Sequence, residues 1–358
     1  MRGKKTVALC GDFFWHDGGS GIGRVSSEMV KQLDGMSQKG EFVLVVPKGA
    51  SGLPPLENIP VRYVGGAFWK RFHYGRSMWV QTVYALYVRL KGYGSVTFNN
   101  EMPILAPGVA YLHDIYLARP VDNDPMSGNT PALMVAKLLY WNITHRAKRI
   151  VTVSDFSKRE IQARYGTADE KISIIPCGWD HVLTFPRDDS IFDRFPQIRK
   201  GEYYFTLGAG GMHKNVKWVY DHAAGHSGTF VVTGGVPVYN GKPLEIRSDN
   251  VIFTGRLTDG QIASLYANCK AFIFPSLYEG FGIPPMEALG LGAKVILSTS
   301  APLPEIYGGT GRYIDPHDPE VDLDRLLEQP AEPADELLAA HMWAAQARKL
   351  LKIIREIY

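Results

Sequence analysis

Short apolar runs alternate with longer helix-like stretches along this chain, and that alternation limits it to an α/β architecture built on parallel sheets. Apolar runs at 5–10, 42–46, 109–112, 150–153 and 172–175 alternate with stretches of helical periodicity at 24–34, 76–91, 131–148 and 155–165. Parallel strands need crossover helices, so this order predicts a doubly wound half. The second half repeats it, with strands expected at 203–207, 229–233, 250–253, 271–274 and 293–297 and helices at 215–224, 259–268 and 284–291. Pro186, Asp188-Asp189 and Pro196 break the pattern between the halves, and 358 residues are too many for one ordinary core. The sequence therefore predicts a domain over 1–185, a second over 186–335, and an amphipathic terminal segment, 336–358, in which Leu338, Met342, Ala345, Leu350 and Ile354 are placed to pack.

Residues 275–287, Pro-Ser-Leu-Tyr-Glu-Gly-Phe-Gly-Ile-Pro-Pro-Met-Glu, carry the sharpest chemical signal. The run Ala271-Phe272-Ile273-Phe274 before them reads as a buried strand, Gly280 and Gly282 free the backbone for close approach to a ligand, and Glu287-Ala288-Leu289 resumes a helix. Backbone N–H groups at a helix N-terminus favour phosphate, whereas Glu279 and Glu287 repel it and suit hydroxyls. Phosphates and sugar hydroxyls in one ligand describe a nucleotide sugar.

The segment resembles the Glu-x7-Glu signature of family 4 retaining glycosyltransferases of the GT-B fold. Companion segments occur in the family's order: Gly21-Ile22-Gly23-Arg24, Leu112-His113-Asp114, the run 151–157, Ile175-Pro176-Cys177-Gly178-Trp179-Asp180, Lys214-Asn215 and Pro304-Glu305. The resemblance implies two Rossmann-like domains, an acceptor side in the first and a nucleotide-sugar side in the second, with the last helix returning to the first domain. It implies that Glu279 meets the donor sugar hydroxyls, that amides around Phe281, Gly282 and Ile283 touch sugar or phosphate, that Glu287 holds the ribose hydroxyls, and that His113 faces the donor sugar.

For the leaving diphosphate, the loop 207–215 follows a strand and opens a helix, so that Gly208 lets the backbone approach and Lys214 reaches phosphate. The family's usual Arg before this Lys is replaced by His213, which supplies a charge only when protonated. Arg256 and Gly234 stand at other strand ends of the second half, near the nucleotide by resemblance, and Thr258 with Gln261 has the pattern of a capping box. In the first half, Gly21 and Gly23 belong to a loop from Gly18 to Arg24. Arg24 stands where a dinucleotide fingerprint needs its third glycine, and no ribose-binding acid follows the second strand, so an NAD enzyme is excluded.

The three cysteines, Cys10, Cys177 and Cys269, form no CxxC pair and suggest reduced thiols in a cytoplasmic protein. The acidic clusters Asp122-Asn123-Asp124 and Asp188-Asp189 sit beside prolines in turn-like sequence, so no metal site and no cofactor is expected. Nothing points to nucleic acid. Residues 1–170 hold the excess of Lys and Arg, and the remainder is net acidic. The aromatic and basic segment 68–93 contains no acid, a composition suited to peripheral contact with the inner face of a membrane or to a core helix. The function expected from all this is a metal-independent, retaining transfer of a hexose to a lipid-linked or saccharide acceptor. GDP-mannose is the first donor suggested by the Lys-Asn and Phe-Gly-Ile-Pro-Pro variants. A UDP-hexose transferase and a catalytically silent sugar-binding partner subunit are the alternatives.

Overall fold

The computed structural model describes residues 5–15, 21–65, 67–72, 74–118, 131–208, 211–236, 238–239, 242–243 and 248–358. They divide into two compact units, one running from the N-terminus to Gly178 with Trp343–Tyr358 added, the other spanning Trp179–Met342.

The first unit is a seven-stranded parallel sheet in the order β3-β2-β1-β4-β5-β6-β7. Its strands are β1 (Val7–Cys10), β2 (Phe42–Val46), β3 (Val61–Tyr63), β4 (Gly94–Thr97), β5 (Val109–Tyr111), β6 (Arg149–Thr152) and β7 (Ile172–Ile174). β1 and β2 are buried at every position, as central parallel strands covered on both faces must be. The helices are α1 (Gly21–Met36), α2 (Gly75–Trp79), α3 (Ala85–Lys91), α4 (Pro131–Arg146) and α5 (Asp155–Tyr165). The expected helix 76–91 exists, but Val80–Tyr84 widens into a π-turn between α2 and α3. That turn buries Tyr84, whose hydroxyl donates to the Ala8 carbonyl at 2.9 Å. Ser154 caps α5 by accepting from the Ser157 amide at 3.1 Å, and left-handed Gly166 ends it.

The terminal segment is two helices rather than one: Trp343–Ile357 packs within the first unit, whereas Asp335–Ala340 belongs to the second. Trp343 explains where the first of these is anchored, since a side chain at Gly178 would lie 2.3 Å from its indole. The sequence-expected boundary at 185/186 also moves, to Gly178–Trp179. Trp179 already packs into the second unit, where a side chain at Gly290 would meet its ring at 2.0 Å and where its indole N–H donates to the Leu338 carbonyl at 2.9 Å.

In the second unit a six-stranded parallel sheet runs in the order β12-β9-β8-β13-β14-β15. The chain supplies β8 (Tyr203–Thr206), β9 (Thr229–Val232), the small hairpin β10 (Val238–Tyr239) and β11 (Lys242–Pro243), then β12 (Val251–Phe253), β13 (Ala271–Phe274), β14 (Val295–Ser298) and β15 (Arg312–Ile314). Its helices are α6 (Ser190–Arg194), α7 (Val216–Gly225), α8 (Asp259–Asn268), α9 (Ile283–Gly290), α10 (Leu303–Tyr307), α11 (Leu323–Glu328) and α12 (Asp335–Ala340). The Thr258–Gln261 capping box is present on α8. Strands on either side of β8 were reached by crossovers in opposite directions, so β8 and β13 form the topological switch point, at whose carboxyl ends ligands bind in open α/β sheets. Among the described residues no helix is long and apolar enough to cross a membrane.

Candidate functional site

The loops after β8 and β13 meet at that switch point. After β8, Met212–Lys214 form one 3-10 turn and Asn215 takes the left-handed conformation at φ 52°, the one such non-glycine among the described residues. The Asn215 side-chain amide holds that conformation by donating to the carbonyls of Pro275, at 3.0 Å, and Pro316, at 2.8 Å. The Leu277 amide donates to the His213 carbonyl at 2.7 Å. These bonds clamp the Lys214 loop onto the loop that carries Glu279.

Lys214 Nζ then donates to both Glu279 oxygens, at 2.7 and 2.9 Å. The pair is only partly open to water, with 26% of the Lys214 and 10% of the Glu279 side chain exposed, so each group neutralises the other at the mouth of the sheet.

Glu287 lies on α9 and is held from two sides. His181 Nε2 is 2.9 Å from Oε1, and the Tyr266 hydroxyl donates to Oε2 at 3.3 Å. Neither partner stands out in the sequence. His181 directly follows the segment 175–180 and Tyr266 is one residue of an amphipathic helix; adjacency to Asp180 is the only signal that could have pointed to the first. Both lie with Glu287 in the second unit.

The glycines of this site have individual reasons. Gly282 has φ +92°, its carbonyl accepts from the Tyr307 hydroxyl, and a side chain there would press on Leu303 at 2.9 Å. Phe281 and Ile283 are buried beside it. Pro284 and Pro285 occupy the first turn of α9, so the helix terminus offers fewer N–H groups than the sequence reading assumed. Gly208 is required by packing, since a side chain would collide with the Thr233 carbonyl at 1.8 Å; its amide donates to Thr233 Oγ1 at 2.9 Å. Gly234, at φ +84°, pairs with Gly255 in an isolated antiparallel bridge, which places it beside the exposed Arg256.

His213 folds its ring back over Gly211, where a side chain would lie 2.4 Å from Cε1. Of the first-half loop, Gly18, Gly19 and Ser20 lie outside the described residues, and Gly21 and Gly23 fall in the first turn of α1 rather than in a loop before it.

His113 follows β5 in the first unit and is 5% exposed. Its Nε2 lies 2.7 Å from the Phe98 carbonyl, so that nitrogen carries the proton and Nδ1 is left as the acceptor. The Asn100 side chain accepts the His113 amide at 2.7 Å. Burial pulls the imidazole from 6.5 down to about 4, which keeps it neutral near pH 7.

Asp188 caps the backbone of Ser190 at 3.0 Å, and Asp189 pairs with Lys200 at 2.6 Å; Asp122 and Asp124 lie outside the described residues.

Comparisons with known proteins bear on the family and the fold. Residues 19–183 match the family described as Glycosyltransferase Family 4, and residues 205–328 match Glycosyl transferases group 1. A 79-residue stretch, 22% of this chain, is 47% identical to the Escherichia coli serotype-specific mannosyltransferase WbdA, of which it covers 10%. The chain is 25% identical to the E. coli O-antigen chain mannosyltransferase B over 232 residues, 57% of each protein. It therefore spans between a tenth and just over half the length of these relatives. Among solved structures, sucrose-phosphate synthase from Thermosynechococcus elongatus superposes with a TM-score of 0.76 at 14% identity, over 98% of both chains.

Proposed function

The chain belongs to the family 4 glycosyltransferases of GT-B fold, and from that premise we propose that it moves mannose from GDP-mannose, with retention of configuration and without a metal, to a saccharide or lipid-linked saccharide acceptor. The observation that carries the reading is the Lys214–Glu279 pair at the carboxyl edge of the second sheet, in the loop just before the helix that carries Glu287, whose oxygens are already oriented. A lysine able to exchange a carboxylate for a diphosphate, beside carboxylates suited to hydroxyls, is what a nucleotide-sugar donor requires. The mannosyltransferase relatives favour mannose as the sugar.

In the reaction, the bond from the sugar's anomeric carbon to the diphosphate oxygen breaks while the acceptor hydroxyl oxygen bonds to the same carbon. The hydroxyl proton passes to the departing phosphate. Attack on the face the diphosphate leaves retains configuration within an ion pair, and Lys214 with the amides of the 280–283 loop stabilises the charge that develops on the diphosphate. His113 of the first unit, neutral with Nδ1 accepting, has the chemistry of a hydrogen-bond partner for a hydroxyl rather than of a cation.

The test is incubation with GDP-mannose, UDP-glucose and UDP-galactose in the presence of mannose-terminated oligosaccharides, free and lipid-linked, with the anomeric configuration of the product read by NMR. An α-mannoside formed from GDP-mannose alone is the expected result. Turnover only with a UDP-hexose overturns the donor assignment, and tight nucleotide binding without turnover on any acceptor identifies a silent sugar-binding subunit instead.

A further inference from the structure

With the exception of Leu183, every exposed large apolar side chain among the described residues belongs to the first unit. Scattered apolar residues on a surface need no explanation, whereas concentration on one unit does.

The concentration centres on α4. Its inner face, Leu133, Ala136, Tyr140 and Ile143, is buried in the core. Its outer face, Met134, Val135, Leu138 and Trp141, has the helical spacing of a second apolar stripe, and Leu138 is 66% and Trp141 50% exposed. A helix apolar on both sides belongs inside something. Below Trp141 the stripe ends in basic residues, with exposed His145, Arg146 and Lys148, and residues 125–153 contain no Asp or Glu.

Two neighbouring segments extend the face. The Asn142 and Gln81 side chains both donate to the Met102 carbonyl, at 2.8 and 3.1 Å, which fixes the loop carrying exposed Ile104 and Leu105 between α4 and the π-turn. Beyond that turn, Leu86 and Leu90 are exposed on α3, Leu90 at 76%, next to Arg89 and Lys91. Residues 58–100 contain no acid either.

We propose that this face of the first unit, built from the outer stripe of α4, the Ile104-Leu105 loop and α3, docks on an anionic lipid bilayer, with the apolar side chains entering the interface and the lysines and arginines meeting the headgroups. The charge decides for this partner: exposed Arg89, Lys91, Arg146 and Lys148 flank the apolar side chains, and residues 58–100 and 125–153 supply no acid, which matches an anionic surface, whereas a second copy of the same face would bring like charges together. Salt weakens such binding because the cations are solvent-exposed. The inference is independent of the donor and of turnover.

Co-sedimentation of the full chain with vesicles of phosphatidylglycerol and phosphatidylethanolamine, against vesicles of phosphatidylcholine, tests it. The wild type binds the anionic vesicles, with binding reduced at high salt, and Leu138→Glu/Trp141→Glu lowers the partition coefficient by about tenfold or more. Arg146→Glu/Lys148→Glu weakens binding to anionic vesicles selectively. Leu183→Glu, on the other unit, leaves binding unchanged; thermal melts check that each variant is folded. Equal or negligible binding of the wild type to both vesicle types overturns the proposal. So does a dimer in size-exclusion chromatography that Leu138→Glu/Trp141→Glu dissociates, which would give the face to a second copy.

Discussion

Lys214 and Glu279, sixty-five positions apart in the chain, form a two-pronged ion pair because Asn215 turns left-handed and ties one loop to the other. In the proposed function the pair keeps a partly buried carboxylate neutralised until the donor's diphosphate competes for the lysine. Removing either member should then cost activity in two ways, by loss of its own contact and by leaving its partner with an uncompensated charge. Glu279→Ala and Lys214→Ala should each lower kcat/KM by roughly a hundredfold or more, about 2.7 kcal/mol, and the double variant should lose less than the sum. Initial rates over a range of donor concentrations measure this; wild-type turnover in Glu279→Ala at saturating donor refutes the assignment.

His181 acts through Glu287. A histidine with 1% of its side chain exposed spends its Nε2 on one carboxylate oxygen, and Tyr266 takes the other, so the carboxylate plane is set before a ligand arrives. His181→Gln should retain a donor in that position and bind nucleotide nearly as well as the wild type. His181→Phe should weaken binding about tenfold, or 1.4 kcal/mol, with kcat at saturating donor little changed. Calorimetric titration with GDP, beside kcat and KM, reads the difference. Equal binding by both variants would make His181 a packing residue only.

How far the sequence reveals this protein depends on how local each feature is. The buried strands β2 and β13, continuous apolar runs, were expected at the positions they occupy. β4, Gly-Ser-Val-Thr, and the edge strand β15, Arg-Tyr-Ile, were not, because one or two apolar residues among polar ones resemble a loop until neighbouring strands pair with them. The amphipathic pattern of 336–358 hides the break at His341 and Met342, which exists because the two pieces pack into different units. In the candidate site, Glu279, Glu287 and Lys214 stand out by motif spacing, and the fold brings Lys214 to Glu279. His181 does not stand out, since 106 residues separate it from Glu287 and only the folded packing of Trp179 against Gly290 brings it there. Gly208 was expected to admit a ligand, and the carbonyl of Thr233 is a sufficient reason for it.

His113 should leave a mark on stability as well as on activity. Its imidazole titrates at about 4 when folded and near 6.5 when unfolded, so the unfolded chain binds more protons between those values and stability falls as pH drops through that window. The loss between pH 7 and pH 5 should be on the order of 2 kcal/mol from this one group. Urea unfolding of the wild type and His113→Gln across that range should show a steeper decline in the wild type. Parallel curves would mean that His113 is not buried in its neutral form.

The proposed metal independence rests on which groups would face the donor's diphosphate. Lys214 carries a full charge to the end of β8, and the amides preceding Pro284 add fixed partial charges in a partly buried loop, where they are worth more than in water. The acids nearest in character to a metal-binding cluster are otherwise engaged: Asp188 holds the Ser190 amide and Asp189 holds Lys200. Transfer measured with excess EDTA should therefore stay within about twofold of the rate with added Mg²⁺, and Lys214→Ala, having lost the protein's own cation, should be the variant that gains from added divalent ions. Complete loss with EDTA, restored by Mg²⁺ or Mn²⁺ in the wild type, would assign the neutralising charge to a metal and return attention to Asp122 and Asp124.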